Sequence, residues 1–260
     1  MAKVWDWIQN NRIARHAGRW ARKRRLRAAK EMAARTSWYP TMTAVQDEIA
    51  RSNPHPHYIE AYRDEEIWYW VNVPGWLAKL RADGMQVQRV LDVGGAYGTL
   101  ALYCKKLFGC EVFMTDFADS FLSRTLREAV PIHFAVNNLE LDELPWGHRF
   151  DIVLFTEVLE HLNFNPRASL LKLRNALRDE GKLFLSTPDA AEWGKTTRYY
   201  EKLAEMPDPK PGQPVIDDHV WQYGKKELVT LLEECGFHID ELAYSPGTPN
   251  RHFNLQLGRV

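Results

Sequence analysis

From residue 87 onward, short apolar runs alternate with longer stretches of mixed character. Val90 to Val93, preceded by Val87, Gln88 and Arg89, is apolar except for Asp92, the pattern of a strand buried on both faces. Glu111 to Thr115, Phe150 to Phe155 and Lys182 to Ser186 read as further strands of this kind. Lys225 to Cys235 reads as a helix closed by Gly236, and His238 to Tyr244 and His252 to Gly258 read as closing strands. Strands alternating with helical segments predict a single α/β domain with a mostly parallel sheet flanked by helices.

The first third has a different pattern. Ser37-Trp38-Tyr39-Pro40 and Ser52-Asn53-Pro54-His55-Pro56-His57 mark two breaks with a short helix between them. Residues 58 to 72 then read as helical, Pro74-Gly75 as an interruption, and Trp76 to Ala82 as a further turn or two. We therefore divide the chain into an N-terminal basic and helical extension, 1–84, and an α/β domain, 85–260. Within the latter, residues 190 to 218 form a long connection carrying Trp193, Tyr199 and Tyr200, of a length expected of a functional lid.

Charge sharpens this division. The formal net charge is zero, yet residues 1 to 35 hold 11 Lys and Arg against Asp6 and Glu31, while the remainder carries 23 basic and 32 acidic side chains. Arg12, Arg15, Arg19, Arg22, Lys23, Arg24, Arg25 and Arg27, interleaved with alanines and with Trp5, Trp7 and Trp20, predict a helix with no clean apolar stripe. Such a helix is expected either to pack on its own domain or to rest on anionic membrane lipid or RNA phosphates. Cys104, Cys110 and Cys235 have no metal or redox spacing, and no transmembrane segment or signal peptide is visible. A cytoplasmic protein, peripheral at most to the inner membrane face, is expected.

The chemistry begins at Asp92-Val93-Gly94-Gly95-Ala96-Tyr97-Gly98, a strand end running into a glycine turn that opens a helix. Gly94, Gly95 and Gly98 permit close backbone approach to a ligand, and the spacing departs from the dinucleotide pattern Gly-x-Gly-x-x-Gly. It resembles the S-adenosylmethionine (SAM) turn of Rossmann-like methyltransferases, with Ala96 in place of the middle glycine. Asp116, at the end of the second strand, is placed to accept hydrogen bonds from both ribose hydroxyls. Asn138-Leu139-Glu140 with Leu144-Pro145-Trp146 resembles the segment that lines the adenine in that family, Asn138 standing where Asp is usual. The resemblance spans residues 87 to 260. It implies a Rossmann-like sheet with a C-terminal antiparallel hairpin, and a SAM site built by Asp92, Gly94, Gly95, Gly98, Asp116, Asn138 and Leu139. In such enzymes pre-core helices cap the cofactor, which makes His57, Tyr58 and Tyr62 candidate acceptor contacts, with ordinary packing as the alternative.

Glu157, Glu160 and His161 stand at i, i+3 and i+4 at the start of the helix expected after the fourth strand, which places them on one face. Two carboxylates and an imidazole, with His219 from Asp217-Asp218-His219, form a candidate site for a divalent metal. Two His and two Glu suit Mn, Fe or Zn better than Mg. The pattern Glu-x-x-Glu-His plus a later His is similar to the metal site of small-RNA 2′-O-methyltransferases, and its first three positions to that of ubiquinone-pathway O-methyltransferases. In both, a bound ion grips neighbouring oxygens of the acceptor and lowers the pKa of one. Without metal, His161 or His219 is the candidate catalytic base. The same Glu-Val-Leu-Glu-His start also occurs where its side chains only favour a helix N-terminus.

The expected activity is therefore O-methylation of a small-molecule, glycan or lipid-linked acceptor. The segment from Thr187 through the Lys225 helix also resembles methyltransferases of bacterial polysaccharide and lipid-linked pathways. RNA ribose 2′-O-methylation and a non-catalytic SAM-binding role stay open as alternatives.

Overall fold

Seven strands form one sheet in the computed structural model, which describes residues 12–260 apart from 53, 54, 148, 196, 197, 214, 248 and 249, with side chains in its first helix from Trp20 onward. Trp5 and Trp7 of the basic arm, the side chains of Arg12, Arg15 and Arg19, and Asn53 and Pro54 of the second break lie outside the described residues. The strands are β1 (Arg89–Val93), β2 (Glu111–Asp116), β3 (Ile132–Val136), β4 (Phe150–Thr156), β5 (Leu177–Pro188), β6 (Phe237–Tyr244) and β7 (His252–Arg259). Their order is β3-β2-β1-β4-β5-β7-β6. β1 through β5 run parallel, with Val90 opposite Val112 on one side and Ile152 on the other. β7 is antiparallel to both β5 and β6, which gives the expected C-terminal hairpin. This is a Rossmann-like methyltransferase sheet.

Side-chain alternation along each strand divides the core into two layers. Val90, Val112, Met114, Ile152 and Leu154 point to one face, and Leu91, Val93, Phe113, Val153 and Phe155 to the other. Burial on both faces explains the unbroken apolar runs in the sequence. The first face is covered by α1 (Arg12–Ala33), α2 (Tyr39–Ser52), α3 (Arg63–Trp70), α4 (Val73–Ala82) and α5 (Thr99–Phe108). The second is covered mainly by α7 (Pro166–Ala176) and α9 (Lys225–Glu234), while the short α6 (Arg124–Ala129) and α8 (Ala190–Trp193) lie in connections. Buried residues of the N-terminal helices, including Met42, Ile49 and Trp70, share one cluster with Val90 of the sheet and Tyr103 of α5.

Two local expectations are corrected. Pro74-Gly75 does not interrupt the chain, because Pro74 occupies the first turn of α4, where its missing N–H has no helical partner to lose. The segment after β4 is not the start of a regular helix. Glu157 has φ +56, and Leu159–His161 make a single 3-10 turn before α7 begins at Pro166 behind the Asn165 cap.

α1 lies on α3 through Arg22–Glu65 and Lys30–Asp64 ion pairs, each 2.6 Å, and through buried Arg25, Ala29 and Ala33. Its Trp20, Lys23, Arg24 and Arg27 remain exposed. No helix among the described residues is long and apolar enough to cross a membrane. All three cysteines are free and buried.

Candidate cofactor and acceptor site

The sheet reverses its winding at β1, which has β2 on one side and β4 on the other, so a crevice opens beyond the C-terminal ends of these strands. A cavity of about 290 Å³ occupies it, lined at the strand ends by Val93, Gly94, Thr115, Asp116, Thr156 and Glu157.

The glycine turn shapes one wall. Gly94 donates its N–H to Thr115 O at 2.8 Å and has φ +72, and a Cβ there would come within 2.4 Å of Val158 Cγ2. Gly95 packs against the Asp92 carboxyl group, where a Cβ would meet Oδ2 at 2.8 Å. Gly98, at φ +81, caps α5. Asp92, Gly95 and Gly98 thus sit behind the cavity wall and hold the turn, whereas Gly94, Asp116, Asn138 and Leu139 border the cavity itself. Burial and the nearby Asp116 push the Asp92 carboxyl up to about 7.

Asp116 Oδ2 accepts the Ala96 N–H at 3.0 Å, which orients the carboxylate at the cavity edge. Ala96 itself has φ +45, the left-handed region that a glycine would enter without strain. Asn138 Oδ1 accepts the Glu140 N–H at 3.0 Å and so shapes the adjacent loop. Glu140, which follows it, is buried and accepts the N–H groups of Asn163 (3.0 Å) and Phe164 (2.7 Å).

The N-terminal helices supply the opposite rim. His57, Tyr62 and Tyr97 border the cavity, with His57 Nδ1 3.2 Å from the Tyr97 hydroxyl. Tyr58 does not reach it. That ring is fully buried, and its hydroxyl donates to Glu66 Oε1 at 3.2 Å.

Beyond Glu157 lies a second set of polar side chains. Glu160, His161 and His219 bring one ligand atom each within 4.8 Å of one another. Glu160 is 1% exposed; its Oε2 accepts the Thr187 hydroxyl at 2.8 Å, and its Oε1 is buried without a hydrogen-bond partner. His161 Nδ1 is also buried without one. The loop carrying His219 is fixed because Glu160 O accepts the N–H groups of Val220 (2.8 Å) and Trp221 (3.1 Å). Burial and the neighbouring His161 push His219 down to about 4, so its imidazole is neutral near pH 7.

Glu157 stands apart from this trio. Its Oε1 accepts the Ser186 hydroxyl at 2.7 Å, and its Oε2 lies 2.9 Å from His252 Nδ1, close but not aligned as a hydrogen bond. Burial pushes Glu157 up to about 8 and Glu160 up to about 7, the latter also through repulsion from Glu157. A buried carboxylate with one orphaned oxygen, an imidazole with one orphaned nitrogen and a neutral second imidazole form a donor set that suits a divalent cation. One carboxylate with two imidazoles is the set common to Fe and other borderline metals, and Glu157 borders it through Glu160.

His252 carries no motif in the sequence, yet its ring lies 4.8 Å from the rings of both Trp68 and Tyr69 and 5.3 Å from that of Trp193. It reaches the site because β7 starts beside the end of β5, with His252 opposite Pro188, and nothing local in the sequence marks that register.

A family model described as a methyltransferase domain matches residues 62–242. Curated proteins give no match. Among solved structures, the chain is similar to a Burkholderia thailandensis 1,6-didemethyltoxoflavin-N1-methyltransferase with bound 1,6-didemethyltoxoflavin and S-adenosylhomocysteine. The TM-score is 0.56 at 17% identity, covering 84% of this chain and 88% of that one. It is also similar to a magnesium protoporphyrin IX methyltransferase from Synechocystis PCC 6803 with bound S-adenosylhomocysteine, with TM-score 0.54 at 18% identity over 75% and 84% of the two chains. A third is an N-methyltransferase from Bradyrhizobium japonicum WM9, with TM-score 0.51 at 15% identity over 71% and 93%. The chain belongs to the methyltransferase-domain family and is a SAM-dependent methyltransferase.

Proposed function

We propose that the protein O-methylates a hydroxyl of a small-molecule, sugar or lipid-linked acceptor, with a divalent cation held by Glu160, His161 and His219. The observation that carries this reading is the convergence of three ligand-type atoms, two of them buried without partners, next to the cofactor cavity. His161 itself borders that cavity.

SAM would lie along Gly94, Asp116, Asn138 and Leu139, with Asp116 accepting from its ribose hydroxyls. Glu157 and His161 then face the end of the cavity at which the acceptor enters. In the transfer, an acceptor oxygen attacks the methyl carbon in line with the C–S bond, the bond's electron pair returns to sulfur, and the hydroxyl proton leaves the oxygen. A bound cation would acidify that hydroxyl. With His161 on the cation, the acidified hydroxyl gives up its proton to solvent before the transfer; without a cation, His161 is the residue placed to receive it, and Tyr62 and His57 help shield the reacting oxygen.

The exposed Trp20, Lys23, Arg24 and Arg27 on α1 support peripheral contact with an anionic lipid surface, which suits a lipid-linked acceptor. The activity reading is tested by transfer of labelled methyl from SAM to catechol. It expects loss of transfer after chelation, recovery with Mn²⁺ and no recovery in Glu160→Ala. Transfer that ignores chelation and the substitution contradicts the cation-assisted route.

A further inference from the structure

Six buried polar atoms without hydrogen-bond partners gather around the acceptor side: Glu160 Oε1, His161 Nδ1, both ring nitrogens of His252, Trp193 Nε1 and Arg25 Nε. The first two belong to the candidate cation site. The others are not among its ligand atoms. They form a continuous array, since the Trp193 ring is 5.3 Å from His252 and 6.0 Å from His219, and Trp68 links His252 (4.8 Å) to the Arg25 guanidinium (4.8 Å).

Arg25 is the unusual member. Its neighbours on α1 are neutralised, Arg22 by Glu65 and Lys30 by Asp64, but Arg25 is 8% exposed and makes no ion pair among the described residues. Burial accordingly lowers its affinity for its proton. Stacking on Trp68 recovers less than burying a guanidinium costs. Arg Nε and the indole Nε1 are donors with no acceptor capacity, so what satisfies them must bring acceptor oxygens and negative charge. Tyr69 and Trp193 beside this array are only half-buried.

We propose that Arg25 and the Trp193 indole N–H form an oxyanion subsite of the acceptor site, so that the acceptor carries a carboxylate set apart from the oxygen that is methylated. This rests on the reading of the neighbouring trio as the acceptor-activating site. It gives α1 a part in substrate selection, through its only buried cation among the described residues.

The test is a titration of full-length protein, saturated with S-adenosylhomocysteine, with benzoate at constant ionic strength, followed by calorimetry and by tryptophan fluorescence. Benzylamine, of similar shape and opposite charge, is the control. Saturable benzoate binding is expected, weakened about tenfold or more in Arg25→Met, weakened several-fold in Trp193→Phe and unchanged in Arg22→Met. Benzylamine is expected not to bind. Trp193→Phe keeps the ring and loses only the donor, so it decides the matter if Arg25→Met fails to fold. Absence of saturable benzoate binding to the wild type, or equal affinity in wild type, Arg25→Met and Trp193→Phe, overturns the subsite. Binding of S-adenosylhomocysteine, read in the same samples, reports separately on the methyltransferase reading, and Mn²⁺ binding reports on the trio.

Discussion

His252 Nδ1 at the start of β7 lies 2.9 Å from Glu157 Oε2 at the exit of β4, across the intervening strand β5. Burial holds His252 down to about 3 and Glu157 up to about 8, so both are uncharged near pH 7. Glu157 is held in place by the Ser186 hydroxyl, which donates to its Oε1 at 2.7 Å. With neither group charged, we expect His252 to act by packing beside Glu157, as a positioning residue. His252→Ala is expected to weaken Mn²⁺ binding about tenfold, as loss of an outer-shell partner does, with S-adenosylhomocysteine affinity within about twofold of wild type. Calorimetry on both ligands checks it, and His252→Asn should recover part of the loss.

The cofactor wall predicts a separate phenotype. Asp116→Ala removes a carboxylate already oriented by the Ala96 N–H, and it is expected to weaken S-adenosylhomocysteine by about 1.5–3 kcal/mol. Gly94→Ala adds a methyl group 2.4 Å from Val158 Cγ2 at φ +72 and should abolish cofactor binding while costing about 1–3 kcal/mol of stability. Ala96→Gly should leave binding intact, because φ +45 suits glycine better. Cofactor titration and urea unfolding of each variant are the readouts.

Glu66 predicts a pH dependence of stability. Its carboxyl group is buried between the extension and α5, where Oε1 accepts from Gln46 (2.7 Å) and Tyr58 (3.2 Å), and burial pushes it up to about 7 from an ordinary 4.5. As pH rises past 4.5 the unfolded chain releases this proton while the folded chain holds it. Stability therefore falls between about pH 4.5 and 7 and levels off above, by at most about 3 kcal/mol. Glu66→Gln removes this term, so its stability relative to wild type should rise between pH 5 and pH 8 in urea unfolding. An unchanged difference across that range would show that Glu66 titrates normally.

The exposed face of α1 predicts lipid dependence. Lys23, Arg24 and Arg27 are exposed, with Arg27 held only by the surface pair to Glu31. Replacing all three by Glu should reduce co-sedimentation with phosphatidylserine vesicles by about 3 kcal/mol or more, with no loss of S-adenosylhomocysteine binding. Equal sedimentation of variant and wild type would assign the basic face to solvent.

Much of the frame was legible because doubly buried parallel strands write continuous apolar runs, as at Val90–Val93 and Phe150–Phe155, and because the turn after Asp92 needs glycine in a readable order. The acceptor side was less legible. Glu157, Glu160 and His161 have helical spacing, but φ +56 at Glu157 breaks the face they would share. His252, Trp193 and Arg25 come from three distant segments and meet only through the β5–β7 register and the packing of α1 on α3. The buried stripe of α1 is Arg25, Ala29 and Ala33, two small residues and a cation, which no hydrophobic period reveals.

The central claim is that Glu160, His161 and His219 hold a divalent cation beside the cofactor. Calorimetric titration of Mn²⁺ into chelator-treated protein saturated with S-adenosylhomocysteine tests it most directly. The account predicts one tight site per chain, lost in Glu160→Ala, His161→Ala; absence of binding in the wild type, or binding that survives in that variant, would contradict it.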